Sequence, residues 1–200
     1  MNTRLLPLYA TLLICIIAYA ACVLQFPTMF STRVAGNLLT DNAFLGIAAV
    51  GMTFVILSGG IDLSVGSVIA FTGVLLAVLI TRYGVHPLAA FAIALLITTT
   101  FGASMGAIIH YLEVPAFIVT LAGMFLARGM CFVMTTDSIP IDHAFYTTLQ
   151  NLFYRLPGGG RLTFIGCLMV LVFVVGIIVA HFSKFGSYIY AVGETAHRLN

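Results

Sequence analysis

Apolar residues run through this chain in long stretches separated by short polar joints. They do not alternate as in a half-buried strand, nor form the narrow stripe of a surface helix. No charged residue occurs between Arg4 and Arg33, and residues 5–26 supply a first apolar run. Further runs follow at about 43–57, 64–81, 87–109, 114–134 and 162–182. A helix needs roughly 20 apolar residues to cross the hydrocarbon of a bilayer. The pattern therefore predicts an all-α, polytopic transmembrane helical bundle of about six spans. Arg4 and the small-x-small triplet Ala18-Tyr19-Ala20 also suit a secretory signal. The first run is longer than a signal core, however, so it is read as a retained helix.

The longest polar connection is 135–161, read as a loop outside the membrane. Within it Phe145, Leu149, Leu152, Phe153 and Leu156 recur at helical spacing among Thr147, Thr148, Gln150, Asn151 and Arg155. That spacing predicts a short amphipathic helix at the membrane surface, either a lid over the bundle or a docking surface. Pro157 and the glycines after it are expected to end it.

Composition sharpens the class. Hydrophobic residues make up 62% of the 200-residue chain and charged residues 7%, against about 25% charged in soluble domains. A net charge of +2 is too small and scattered to favour nucleic acid; the lipid bilayer is the expected partner. Charge does not settle orientation, because Arg4, Lys184 and Arg198 fall on one side of a six-span topology and Arg33, Arg82, Arg155 and Arg161 on the other. With no tryptophan, Tyr9, Tyr83, Tyr111, Tyr154 and Tyr188 near the span ends are the expected interfacial anchors. Cys15, Cys22, Cys131 and Cys167 lie inside apolar runs without CxxC spacing and read as packed thiols.

Polar residues at membrane depth carry the candidate chemistry. In LSGGIDLSVGS (57–67), Gly59 and Gly60 lower helix propensity where one run ends, by about 1 kcal/mol each relative to Ala. Asp62 and Ser64, both good helix caps, stand ahead of the next run. Two readings stand: a tight turn in which Asp62 only caps, or a pair of broken helices lining a pathway that Asp62 orders. Arg128 lies about 6 Å past the middle of its span, where it either snorkels to the interface or pairs with a carboxylate. Gly102-Ala-Ser-Met-Gly106 imitates a hydrolase elbow, but an apolar helix is the wrong context. As G-x-x-x-G it predicts close helix packing. Asp137, Asp142 and His143 lack defined metal-ligand spacing and read as a solvated loop. There is no phosphate-binding G-x-x-x-x-G-K-[ST] run, and Lys184 is the only lysine. An energy source or a high-affinity receptor is therefore expected on separate chains, and no enzyme activity or cofactor on this one.

The run NAFLGIAAVGMTFVILSGGIDLSVGSVIAFTGV (42–74) strongly resembles the permease subunits of ribose-type ABC sugar importers. VPAFIVTLAGMFLARGM (114–130) resembles that family's next signature and FGSYIYAVGE (185–194) its cytoplasmic coupling segment. With QFP (25–27), STRV (31–34), SIPI (138–141) and PGGGRL (157–162), the likeness is greatest to galactofuranose-importing members. The resemblance implies one permease domain over 1–200, of which this is the N-terminal portion, with a coupling segment at 183–200. It implies a second permease subunit, a cytoplasmic ATPase holding ATP and Mg, and a periplasmic sugar-binding protein. Gly59, Gly60, Asp62, Ser64 and Gly66 would form the signature turn beside the solute pathway, with Arg128 near it. Tyr190, Ala191, Val192, Gly193 and Glu194 would lie on the helix that meets the ATPase. After Gly193 the chain departs from the family's usual continuation, reading Glu194-Thr195-Ala196-His197. Two other readings are an ion-coupled carrier with Asp62 as proton relay, and a non-transporting fragment that only assembles with full-length partners.

Overall fold

The computed structural model describes residues 6–155 and 159–198. Leu5 of the first predicted run, Arg4 before it, and Leu156, Pro157 and Gly158 of the loop lie outside the described residues, as do the last two residues of the predicted coupling segment. Nine helices and one small hairpin make up the described chain, and the fold is an all-α, polytopic membrane class. Four helices are long and apolar enough to cross a bilayer: Val65–Arg82, Pro87–Tyr111, Ala116–Met134 and Phe164–Phe182. The predicted second span is not one helix. α3 (Ala43–Leu57) has 15 residues, about 22 Å at 1.5 Å per residue, short of a bilayer core of about 30 Å. It is preceded, across Asn42, by α2 (Thr32–Asp41), and a fifth span is reached only if the two are counted as one. α1 (Leu6–Gln25) is the first apolar helix.

Two compact units are formed. The first, Met1–Phe44 with Gln150–Val170, is built on α2 and a hairpin. Ser31 caps α2, its Oγ accepting from Val34 N–H at 3.4 Å. β1 (Phe153–Arg155) pairs antiparallel with β2 (Arg161–Thr163), Tyr154 opposite Leu162. Gly36 of α2 lies so close to the Arg161 carbonyl, and Gly160 to the Thr32 carbonyl, that a Cβ at either would overlap backbone. Thr40 Oγ1 and Thr163 Oγ1 share a hydrogen bond of 2.9 Å beside them. This corrects the amphipathic helix expected over 145–156. Helix α7 runs only from Ala144 to Gln150, and Phe153 sits in a strand with the Arg161 guanidinium 4.8 Å from its ring centre. Strand pairing and cation–π contact outweigh a helical periodicity that a few polar residues only loosely define.

The second unit, Leu45–Leu149 with Leu171–Asn200, holds the main helix packing. α4 (Val65–Ala77) runs on into a π-helical turn, Val78–Arg82. Arg82 then donates to Met134 O and Thr135 Oγ1, both at 3.3 Å, tying the end of α4 to that of α6 (Ala116–Met134). Leu75, Ala77, Val78, Ile80, Ala90, Ala94, Val119 and Ala127 form the buried interior. α5 (Pro87–Tyr111) starts with Pro87 in its first turn and His86 as cap, Nδ1 accepting from Leu88 N–H at 3.3 Å. α5 meets α6 closely at Gly123, where a Cβ would overlap Met105 Sδ. Gly102 and Gly106 have open space instead, so the G-x-x-x-G reading is corrected: the small residue that admits a neighbour is on α6. Ser104, the would-be nucleophile, bonds back to Phe101 O at 2.7 Å within the helix. Large apolar side chains such as Leu96 and Val133 point outward, 70% and 80% exposed, as lipid-facing surfaces require. The five predicted anchor tyrosines are all exposed, and the four cysteines are free.

Candidate functional site

The interruption at 57–67 is built by a specific backbone device. At the end of α3, Gly60 N–H donates to Val55 O and Gly59 N–H to Ile56 O, both at 3.0 Å. Gly59 has φ +76°. This is the paired closure that ends a helix on a left-handed residue, a conformation glycine adopts without Cβ strain. Ser58 Oγ adds a bond to Val55 O at 2.8 Å. The sequence argued from propensity; the geometry shows that handedness is the reason for Gly59. Gly60 has no such need, since a Cβ there would meet Val55 only at 3.4 Å.

Asp62 then organises the entry to α4. Ser64 donates to Asp62 Oδ1 twice, from its backbone N–H at 2.8 Å and its hydroxyl at 2.7 Å. Asp62 thus does not cap a first-turn amide of α4; it closes a local turn onto Ser64, the residue at the N-cap position. Ser64 does not cap α4 with its side chain; its hydroxyl is turned back onto Asp62, and the residue is 2% exposed. From α6, Thr120, itself buried, donates its one hydroxyl proton to Ala116 O at 2.8 Å, with Ile61 O a longer 3.4 Å away. Thr120 was missed by the sequence reading, although a threonine four residues past the start of an apolar helix is the kind of residue that reaches a neighbour.

Two recesses flank this turn. One of about 270 Å³ is lined by Gly60, Asp62, Gly102, Gly106, Ala116 and Thr120, so the glycines of α5 open onto the half-buried Asp62. The other, about 520 Å³, is lined by Leu63, Gly66, Ser67, Met124, Arg128 and Cys131. Arg128 is exposed within it. The carboxylate pairing considered for Arg128 is not made among the described residues. Gly66 has open space around it. The sequence-predicted residues are divided between the two recesses, Gly60 and Asp62 on one, Gly66 and Arg128 on the other, while Gly59 and Ser64 line neither.

The predicted coupling residues lie on α9 (Lys184–Arg198) and divide between two faces. Val192, Ala191 and Glu194 are exposed. Tyr190 lines a third recess, about 310 Å³, with Thr53, Phe54, Leu57, Phe173 and His181. Gly193 points inward, against Leu57 and Ser58. At the other end of the unit, His143 Nδ1 accepts from Phe145 N–H at 3.1 Å, and its ring meets that of His86 edge-on at 5.8 Å. Tyr146 packs on Phe91 at 6.3 Å, and burial raises its phenol above the usual value. No group of three or more metal-binding side chains occurs among the described residues.

Several apolar helices, two of them joined by a polar turn with recesses on both sides, define a multi-pass membrane protein. The family described as "Branched-chain amino acid transport system / permease component" matches residues 34–197, and the chain belongs to it. It is similar to the "Inner membrane ABC transporter permease protein YjfF" of Escherichia coli (strain K12), 55% identical over 100% of this chain and 60% of the relative. It is also similar to the "Ribose import permease protein RbsC" of the same organism, at 40% over 87% of this chain and 54% of the relative. To the "Fructose import permease protein FruG" of Bifidobacterium longum (strain NCC 2705) it is 34% identical, over 96% and 58%. The chain thus spans 60% or less of the length of these relatives. No solved structure matches it. The protein is a multi-pass protein of the inner membrane.

Proposed function

We propose that this chain is permease machinery of an ATP-driven sugar importer, and that it moves galactofuranose or a related monosaccharide. It would work with a second permease subunit, a cytoplasmic ATPase carrying the ATP and Mg, and a periplasmic sugar-binding protein. The chain itself would hold no cofactor and catalyse no reaction. Gly59, Gly60, Asp62, Ser64 and Gly66 would shape the solute route, with Arg128 as its polar contact. Tyr190, Ala191, Val192, Gly193 and Glu194 would belong to the helix that meets the ATPase.

The observation that carries this reading is the recess holding Arg128. A cation inside a spanning helix costs about 2.5–3.5 kcal/mol on insertion scales and ordinarily faces protein or a watery cavity. Here it opens onto a recess of about 520 Å³ beside Ser67 and the interrupted helix, within the roughly 300–1,000 Å³ typical of small-molecule sites. Its five N–H donors suit the oxygens of a polyol. The names of the ribose and fructose relatives point to the same class of solute. The galactofuranose assignment rests on the motif resemblance at 25–27, 31–34, 138–141 and 157–162.

The test is uptake of labelled galactofuranose in cells lacking their own permease for it, supplied with this chain, the ATPase and the binding protein. Uptake should need ATP and should fall at least tenfold in Arg128→Ala at equal membrane abundance. Uptake of labelled ribose, fructose or xylose, with none of labelled galactofuranose, would move the substrate within the class. Absence of uptake for all four sugars would sink the reading.

A further inference from the structure

We propose that α9 is seated directly on the end of α3, and that Gly193 is the positioning residue through which α9 sets the interrupted turn at 58–64. The inference rests on the reading of α9 as the coupling segment and says what that segment acts on inside its own chain. The Leu57 carbonyl oxygen lies where a Gly193 Cβ would stand, and Ser58 C would be only 3.5 Å from it. Leu57 is the last residue of α3 and Ser58 begins the turn. A second contact joins the same two helices: the rings of Phe54 and Phe185 are 6.0 Å apart.

The sequence of α9 is arranged for this seat. Gly186 and Gly193 are seven residues apart, two turns, and so share one face. Gly186 is packed against the Ala180 and Val179 carbonyls as Gly193 is against Leu57. Small residues on one face let backbones approach without intervening side chains. The opposite face carries Tyr188 and Val192, which are 68% and 57% exposed. A backbone-on-backbone contact has no side-chain torsion to absorb a displacement. A shift of α9 therefore reaches Leu57 and Ser58 almost undiminished, and the bonds already described carry it onward. Ile61 O touches the Thr120 hydroxyl of α6 at 3.4 Å, and Asp62 holds Ser64 at the start of α4. Those are the helices that border the recess of Arg128.

Hydrogen exchange of the purified chain in lipid nanodiscs tests the seat without any transport measurement. In Gly193→Ala, the added methyl must push α9 off the Leu57 carbonyl, and exchange over 58–64 should accelerate about tenfold while 87–111 stays unchanged. Val192→Ala, on the outer face, should leave 58–64 unchanged. Acceleration confined to 184–198 in Gly193→Ala would overturn the proposal, and so would equal acceleration of 58–64 by Val192→Ala. Should Gly193→Ala exchange fast everywhere, Phe185→Ala decides. It removes the second contact without adding bulk and should speed 58–64 about threefold; no change there would also overturn the seat. In the assembled transporter, Phe54→Ala, which removes the same ring contact from the α3 side, should keep ATPase binding and ATP hydrolysis while sugar uptake falls about threefold, a split that mere loss of folding would not give. If the unmutated chain takes up no sugar, the importer reading fails, while the exchange result stands or falls on its own.

Discussion

Three glycines of the 57–67 turn look alike in sequence, and the structure assigns them different burdens. Gly59 has φ +76°, where an L-residue pays about 1–2 kcal/mol for crowding its Cβ against a carbonyl. Gly60 lies outside that region and offers an added methyl an ordinary contact at 3.4 Å. Gly66 lies in α4 with open space around it. Replacing any glycine by alanine also stiffens the unfolded chain, worth about 0.4–1 kcal/mol in favour of folding. That term is common to Gly59→Ala and Gly60→Ala, so their difference isolates the left-handed penalty, about 1–2 kcal/mol or roughly 5–30-fold in the folded-to-unfolded ratio. Gly60→Ala should be neutral or mildly stabilising, and Gly66→Ala stabilising by up to about 1 kcal/mol in a helix interior. Gly59→Asn should recover part of the loss, because asparagine tolerates the left-handed region, whereas Gly59→Val should do worst. Unfolding in mixed micelles, with dodecyl sulfate as denaturant and helical circular dichroism as the signal, gives the five values. The reasoning is refuted if Gly60→Ala costs as much as Gly59→Ala, or if asparagine at 59 is no better than valine.

Other substitutions test neighbouring features. Asp62→Ala leaves the amide and hydroxyl of the buried Ser64 without their acceptor and should cost about 1–3 kcal/mol by the same unfolding assay; Asp62→Asn keeps an oxygen there and should cost much less. In the first unit, Gly36→Ala places a methyl on the Arg161 carbonyl and should release the hairpin, seen as faster hydrogen exchange over 153–155 and 161–163 with 116–134 unaffected. The partly buried Tyr146 phenol is held above the ordinary value of about 10 by desolvation. The stability tied to its neutral form is therefore full below that ordinary value and is lost as pH rises through the raised one. Phenolate absorbance of the protein minus that of Tyr146→Phe should show one tyrosine titrating later than the exposed ones, and a difference curve centred at or below 10 would contradict its burial.

How far the sequence could be read depended on what lipid enforces. A spanning helix must close its own backbone hydrogen bonds and bury apolar side chains along its whole length, so the runs at 64–81, 87–109, 114–134 and 162–182 were legible to within a few residues. Elements outside that rule were not. α2 is amphipathic and too polar to stand out, although Ser31 ahead of Val34 and Leu38 was a usable start signal. The stretch 151–155 has residues that fit a helix and a strand equally, and only its pairing with 161–163 decides. Which side of a helix faces protein was the hardest to see. Hydrophobicity sets inside from outside in water, but in lipid both faces are apolar. The pattern left Arg128 open between snorkelling and a carboxylate pair, and Gly193 looked like a partner contact. The spacing of Gly186 and Gly193 was the one available clue, since small residues mark close approach.

The same geometry separates two mechanisms that the sequence left open. A proton relay needs a carboxylate whose loss abolishes coupling for a chemical reason. Asp62 has one oxygen committed to Ser64 twice over, so its first task is to hold the turn in which α3 gives way to α4. Substitutions at 62 therefore confound structure with chemistry unless the acceptor is kept. Asp62→Asn keeps it and removes only the charge. In an ATP-driven importer this variant should still insert, still associate with the ATPase and still take up sugar when the proton gradient is collapsed, at a rate within a few-fold of the unmodified chain. In a proton-coupled carrier it should insert equally well and lose gradient-driven uptake altogether, with no dependence on ATP in either protein. Because the turn survives in both cases, the two outcomes differ in chemistry alone, and uptake by Asp62→Asn under a collapsed gradient decides between them.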